Sequence, residues 1–340
     1  MNAKSRWIAQ SSGLDRRRML GLCAATVASL SLPGAKAQTG GAYPSRSIRL
    51  VLPAAPGGTG DALARVIALE LAKNVGQSVV IDNRTGAAGI VGTELAANSA
   101  PDGYSVLVGT AGAMVVNPSL YLKLPYDSIK SFDPVVIMAF SPLMLIANPA
   151  LPIKTIGDLI ALAKSKPGQL TYASAGSGST PHLAGELFRL MTGVDMLHVP
   201  YKGSTPGVTA VMSGEASVMF TGISSCIGQV KAGKLRGVSV NGVKRSLALP
   251  DVPTAIESGL PGFVADFWYG AFVPVGTPRA IVTTLNAEVN KILNLAEIRD
   301  KLVNLGLEPG GGTPEQLGET VRKDRDRWAD VVKTSGMKAD

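Results

Sequence analysis

From residue 47 onward, short apolar runs of strand length alternate with longer stretches whose apolar positions recur every three or four residues, and glycines stand at many of the joins. Continuous Val/Ile/Leu runs suit strands buried on both faces, and the longer periodic stretches suit helices packed along one side. The pattern predicts strands at 47–54, 78–82, 104–109, 135–140, 143–148, 170–174, 196–199, 216–220, 235–240 and 270–274. Helices are predicted at 60–74, 89–99, 155–166, 181–192, 205–213, 224–232, 278–294, 296–304 and 314–334. Such alternation is the mark of parallel α/β architecture. The last helix carries Arg322-Lys323-Asp324-Arg325-Asp326-Arg327 before Trp328, and these mixed signs read as a solvated face.

Two of the joins have the chemistry of an anion cradle. Ile48 to Pro53 form an apolar strand, Gly57-Gly58 permit a tight turn, and a helix starts near Gly60-Asp61. A helix start offers unpaired N–H groups at its positive end, which a carboxylate can accept from. The segment Leu170 to Pro181 repeats this order with a strand, a Gly/Ser turn, Thr180 as a candidate cap and Pro181 at the first helical position. Two such termini about 120 residues apart predict one cradle in each of two α/β units, both at strand carboxyl ends.

The first 37 residues read as an export signal. Arg16-Arg17-Arg18 precede an apolar run from Met19 to Leu32 that ends in Ala35-Lys36-Ala37, so the mature chain is expected to start at Gln38. Asp15 to Leu20 also resemble a twin-arginine signal. Leu22 before Cys23, and an apolar run that continues past it, argue against a lipid anchor. With Cys23 removed, Cys226 stands alone and no disulfide can form within the chain. The signal holds six bases against Asp15, which is +5 of the formal +8, so the mature chain of 303 residues carries only about +3. Scattered bases and 5% aromatic residues give no nucleic-acid surface. No later segment is apolar over the ~20 residues that a membrane helix needs.

Catalytic and cofactor motifs fail residue by residue. Gly228 to Leu235 match a phosphate loop until Leu235 replaces Ser or Thr, and that segment sits at a helix end instead of a helix start. Leu63 stands where a dinucleotide fingerprint needs its third glycine. Ser177 has Ala175 and Ser179 where a nucleophile elbow wants glycines. His182 and Glu186, four apart, read as a pair on a helix surface without a third metal ligand. Asp61 reads either as an acid favoured by the helix dipole or as an acceptor for a ligand or its water. No cofactor and no metal is expected.

Seven motifs in order resemble the Bug family of periplasmic solute-binding receptors, some of which serve tripartite tricarboxylate transporters. They are Tyr43-Pro44-Ser45-Arg46-Ser47-Ile48, Pro56-Gly57-Gly58-Thr59-Gly60-Asp61, Asp82-Asn83-Arg84-Thr85-Gly86-Ala87-Ala88-Gly89, Pro101-Asp102-Gly103-Tyr104, Pro200-Tyr201-Lys202-Gly203, Leu249-Pro250-Asp251-Val252-Pro253-Thr254 and Gly276-Thr277-Pro278. The resemblance implies a two-lobed periplasmic binding protein fold of α/β class with the ligand cleft between lobes joined by two crossovers. Lobe 1 would combine 43–142 with 242–340, and lobe 2 would be 143–241. A small carboxylate would be held without a dedicated arginine, by loop backbone and hydroxyl groups, some through water. In lobe 1 these are Pro56, Gly57, Gly58, Thr59 and Asp61, joined by Thr85, Gly86, Ala87, Ala88 and Thr110. In lobe 2 they are Ser174, Gly176, Ser177, Gly178, Ser179 and Thr180, with His182, Tyr201 and Lys202 nearby. Met219-Phe220-Thr221 stand where relatives commonly read Met-Phe-Asp, which implies a more neutral pocket wall and tilts the ligand towards a plain organic acid. The implied protein is a monomeric, non-enzymatic receptor that delivers its ligand to membrane transporter subunits. The competing readings are a secreted hydrolase using Ser177 or Ser179, and a receptor that presents its ligand to a membrane signalling protein.

Overall fold

The computed structural model describes residues 43–338, so the export signal expected at 1–37 lies outside the described residues. The chain forms β1 (Ile48–Leu52), α1 (Thr59–Val75), β2 (Val79–Asn83), α2 (Ile90–Ala97) and β3 (Ser105–Thr110), then a wide helical turn at Gly112–Val116 and the short α3 (Asn117–Leu120). Next come β4 (Phe132–Ala147), α4 (Ile156–Ser165), β5 (Thr171–Ser174), α5 (Thr180–Thr192), β6 (Leu197–Pro200), α6 (Ser204–Ser213), β7 (Val218–Gly222), α7 (Ile223–Lys231) and β8 (Arg236–Val240). The last elements are β9 (Asp266–Pro274), α8 (Arg279–Leu293), α9 (Ala296–Asn304), β10 (Glu308–Gly311) and α10 (Pro314–Ser335).

Every element predicted from the hydrophobic pattern is present, but the sheet is mixed where parallel pairing was expected. Its strand order is β2-β1-β3-β9-β4-β7-β5-β6, with β8 and β10 also paired to β4. β1 runs parallel to β2 and β3, and β5 runs parallel to β6 and β7. β9 is antiparallel to β3, and β4 is antiparallel to all four of its partners.

The two strands expected at 135–140 and 143–148 are one strand, β4, that changes partners midway. Residues up to Pro142 pair with β9 and β10, and residues from Leu143 pair with β7 and β8. Proline has no N–H to give a ladder, so Pro142 is tolerated where one set of partners ends and the next begins. Three chain segments are tied together there: Leu143 N donates to Ala265 O at 3.0 Å, Asn241 N to Leu143 O at 2.7 Å, and Ala265 N to Asn241 O at 2.6 Å.

The core is continuous across this switch. Phe188, Phe220 and Phe263 meet with ring centroids 5.6 to 5.7 Å apart. α10 buries Leu317, Val321, Trp328, Val331 and Val332 along one stripe. Its charged run is less solvated than the sequence predicts, because Asp324 Oδ2 accepts from Trp268 Nε1 at 2.8 Å and the Arg327 guanidinium lies 4.8 Å from the Trp328 ring centre. Cys226 is buried and unpaired, and burial pushes its thiol up to about 12, which leaves it inert. No described helix is long and apolar enough to cross a membrane.

Candidate functional site

A cavity of about 310 Å³ opens beside the middle of β4, and no charged side chain lines it. Its wall collects the starts of four helices: Thr59 from α1, Thr180 from α5, Ser204 from α6, and Ser224 with Ser225 from α7. α1, α6 and α7 are preceded by Gly58, Gly203 and Gly222, which have no side chain to cap the first-turn N–H groups. By contrast α4 and α10, whose starts do not line the cavity, have complete capping boxes at Thr155 and Thr313. Uncapped donors and the positive ends of several helices therefore face one space, an arrangement suited to an anion.

Hydroxyls add to these donors. Ser141, Thr180, Ser204, Ser225 and Tyr269 line the wall, and their hydroxyls have no hydrogen-bond partner among the described residues. Burial pushes the Tyr269 phenol up to about 12, so it stays neutral and can donate. Its ring packs on the first turn of α1, where a Cβ at Gly60 would come within 2.9 Å of it. Thr110 Oγ1 accepts from Ala113 N at 3.2 Å and retains its own proton to give. Thr59 Oγ1 and Ser224 Oγ lie 2.9 Å apart and join α1 to α7 across the cavity.

Of the residues expected at the site, Thr59, Thr110, Ser179 and Thr180 reach this wall. Ser179 caps α5, accepting from His182 N at 3.4 Å, and gives its own proton to Gly176 O at 2.6 Å, so Thr180 is the better donor to a ligand. Asp61 is 3% exposed and accepts from Gly57 N at 3.0 Å, Asn83 Nδ2 at 3.1 Å and Arg65 Nε at 2.8 Å. The Arg65 guanidinium, with the Gly57 N–H and Asn83, holds its carboxyl below the usual value. Its acceptor capacity serves the turn, whose residues Pro56, Gly57 and Gly58 are exposed. Gly57, at φ +84, is the position that needs glycine; at Gly58 an added Cβ would meet only Ala55 O at 3.8 Å, an ordinary contact.

Thr85, Gly86, Ala87 and Ala88, which follow β2, are exposed and do not line the wall. Ala87 and Ala88 nonetheless hold φ of 45° and 52°, a left-handed conformation that costs alanine roughly 1–2 kcal/mol per residue. Asn117 Nδ2 secures that turn by donating to Ala88 O at 3.1 Å. Such retained strain is a recurrent mark of ligand clamps.

Ser174, Gly176, Ser177, Gly178 and His182 lie behind the wall and shape its second loop. Ser174 is fully buried, with its Oγ 2.6 Å from His198 Nε2 and in contact with Gly176 N and O at 3.1 Å. His182 Nδ1 accepts from Gly178 N at 3.1 Å, and its ring stacks on His198 at 3.7 Å between centroids. His182 and Glu186 are both buried, contrary to the surface pair expected, because Glu186 takes the hydroxyl of Tyr172 and Arg189 Nη1 at 2.9 Å. Among the described residues no cluster could hold a metal. Tyr201 turns its hydroxyl to Glu215 Oε1 at 2.8 Å, and Lys202 is exposed. Thr221 is fully buried and off the cavity wall, so the missing acid does not neutralise that wall as expected.

Ser141, Ser204, Ser225 and Tyr269 escaped sequence reasoning. Gly203-Ser204 and Gly222 to Ser225 carry the glycine-then-hydroxyl order of the first cradle and were legible on that ground. Tyr269 gave no signal, since the predicted strand began after it.

A curled mixed sheet with the starts of four helices around one uncharged cavity is the architecture of a solute-binding receptor. The family model for TctC, the tripartite tricarboxylate transporter family receptor, matches residues 63–337. Protein BugT of Bordetella pertussis is 36% identical over 297 residues, 87% of this chain and 91% of its own. The structure of R. palustris Rpa4515 with adipate shares 38% identity at a TM-score of 0.78, covering 87% of this chain and 99% of that one. MatC (Rpa3494) from Rhodopseudomonas palustris with bound malate shares 34% identity at 0.73, covering 85% of this chain and 100% of that one. The chain belongs to the tripartite tricarboxylate transporter receptor family, and the resemblance in its motifs extends through the fold.

Proposed function

We propose that this protein captures a small carboxylate in the periplasm and delivers it to a membrane transporter without transforming it. The observation that carries this reading is the convergence of uncapped helix starts and neutral hydroxyls on a cavity with no charged wall. Such donors can satisfy a carboxylate's lone pairs by direct or charge-assisted hydrogen bonds. The adipate and malate held by the solved relatives support a dicarboxylate of similar size. Isothermal titration with C4 to C6 dicarboxylates tests it; saturable binding is expected, and its absence across the series overturns the reading.

The lobes we assign are 43–142 with 242–340, and 143–241. The partner switch at Pro142/Leu143 and the tie at Asn241 support these bounds, with the cavity between α1 of one lobe and α5, α6 and α7 of the other. In this reading Thr59 and Ser224 meet when the lobes close, and the receptor acts as a monomer. A hydrolase using Ser179 is disfavoured because that hydroxyl gives its proton to Gly176 O and His182 Nδ1 accepts from Gly178 N.

Thr180→Ala removes one donor to a charged group, about 1.5–3 kcal/mol, and is expected to raise Kd roughly 10- to 100-fold without loss of fold. Ser179→Ala should act mainly on stability, by about 1 kcal/mol, since it removes the α5 cap. Export follows from the N-terminal signal. Mass spectrometry of the periplasmic protein should find Gln38 first, and an uncleaved chain would count against that signal.

A further inference from the structure

A second cavity, of about 530 Å³, lies at the β4 partner switch, where Pro142, Gly242 and Asp266 come together. Trp268 lines both cavities. Phe140, Val264 and Trp268 supply an apolar wall, and three carboxylates stand in it. Two of them have donors: Glu308 accepts from Ser246 Oγ and Leu247 N, both at 3.1 Å, and Asp324 accepts from Trp268 Nε1. The third does not. Asp266 Oδ1 is buried with no hydrogen-bond partner among the described residues.

A buried carboxylate without a donor is costly, and the two acids beside it add to the cost. Burial first, then Glu308 and Asp324, push the Asp266 carboxyl up to about 7. The cations of this cavity sit elsewhere. Lys244, Arg245 and Arg299 are exposed at its edge, Arg245 is paired with Glu257 at 2.9 Å, and Arg327 donates to Val264 O. The polarity is thus ordered: negative and donor-poor at Asp266, apolar along the wall, positive at the rim.

We propose that this cavity binds a small apolar amino acid, its ammonium group on Asp266, its side chain against Phe140 and Trp268, and its carboxylate at Lys244 and Arg299. An ammonium supplies a donor to the Asp266 carboxylate at the side that lines the cavity and is favoured by Glu308 and Asp324. The carboxylate remains near water, where the rim charges meet it. This site is separate from the hydroxyl-lined cavity and does not depend on what that one binds.

Calorimetry with L-phenylalanine and phenethylamine, which share an aromatic body and an ammonium, tests the assignment. L-phenylalanine should bind saturably, and phenethylamine more weakly for want of the carboxylate. Asp266→Asn, which keeps the shape of the side chain, should weaken both by about tenfold or more. Phe140→Trp, which narrows the cavity, should weaken both as well, with circular dichroism confirming both folds. Lys244→Ala should weaken L-phenylalanine alone. Ser225→Asp, on the wall of the other cavity, should leave L-phenylalanine affinity unchanged. The proposal is overturned if L-phenylalanine does not bind, if Asp266→Asn leaves its affinity intact, or if Ser225→Asp abolishes it. Failure of dicarboxylates to bind the hydroxyl-lined cavity would leave these outcomes as they are.

Discussion

Ser225→Asp is expected to raise the Kd for the cognate carboxylate by roughly 100- to 1,000-fold while the protein stays folded. Ser225 lines the cavity as the third residue of α7, counted from its Gly222 cap. A carboxylate placed there stands about 4–5 Å from a bound anion, and at an effective dielectric near 20 the repulsion is about 3–4 kcal/mol. The same charge near a helix N-terminus favours the helix by roughly 0.3–1 kcal/mol, so the melting temperature should hold or rise. Opposite signs for binding and stability separate this effect from simple unfolding. Ser225→Asn, which adds no charge, should cost about tenfold or less. Calorimetry on the folded Ser225→Asp protein decides the matter, and unchanged affinity would place the anion outside this cavity.

Asp61→Ala should destabilise the protein by about 2–4 kcal/mol, because it removes a buried carboxylate that three groups address. Arg65 is 62% exposed along its side chain, so its share is screened and the loss falls below that of a fully buried pair. The Gly57 N–H would lose its partner, the turn before α1 would loosen, and carboxylate affinity should fall with it. The pH dependence has a definite sign. Asp61 titrates below its ordinary value of 3.8 in the folded chain, so its contribution is present above that pH and is lost as pH falls through the folded value. Urea unfolding of both proteins should therefore differ at pH 7 and converge in strong acid. A constant difference down to pH 2 would show that Asp61 acts through packing and not through its charge.

Elements were legible because local periodicity reports burial, and burial is what each strand and helix of this chain obtains. The strands of β1, β3 and β7 are apolar runs, and the stripe Leu317, Val321, Trp328 repeats at helical spacing. Both cradles were legible too, because a strand, a glycine turn and a helix start are local. The motifs also placed the chain in its family, since they recur in order along its whole length.

Pairing partners were another matter. Nothing in Phe132 to Ala147 says that one strand serves two sets of neighbours, because its apolar character is the same on either side of Pro142, and only the arrangement of β7, β8, β9 and β10 breaks that symmetry. For the same reason β10, whose Glu308-Pro309-Gly310-Gly311 has no strand-like pattern, exists only through its pairing with β4. The site divides along this line. That Thr59 and Thr180 begin helices could be read from the chain, but that Tyr269, Ser141, Ser204 and Ser225 stand around the same space depends on contacts between residues far apart in sequence. Asp61 shows the converse, a local motif whose acid looks outward in sequence and is turned inward by Gly57, Asn83 and Arg65. Residue type and spacing determined which groups could donate or accept. Tertiary packing decided which of them were left without partners, because a hydrogen bond satisfied inside the fold is no longer offered to a ligand.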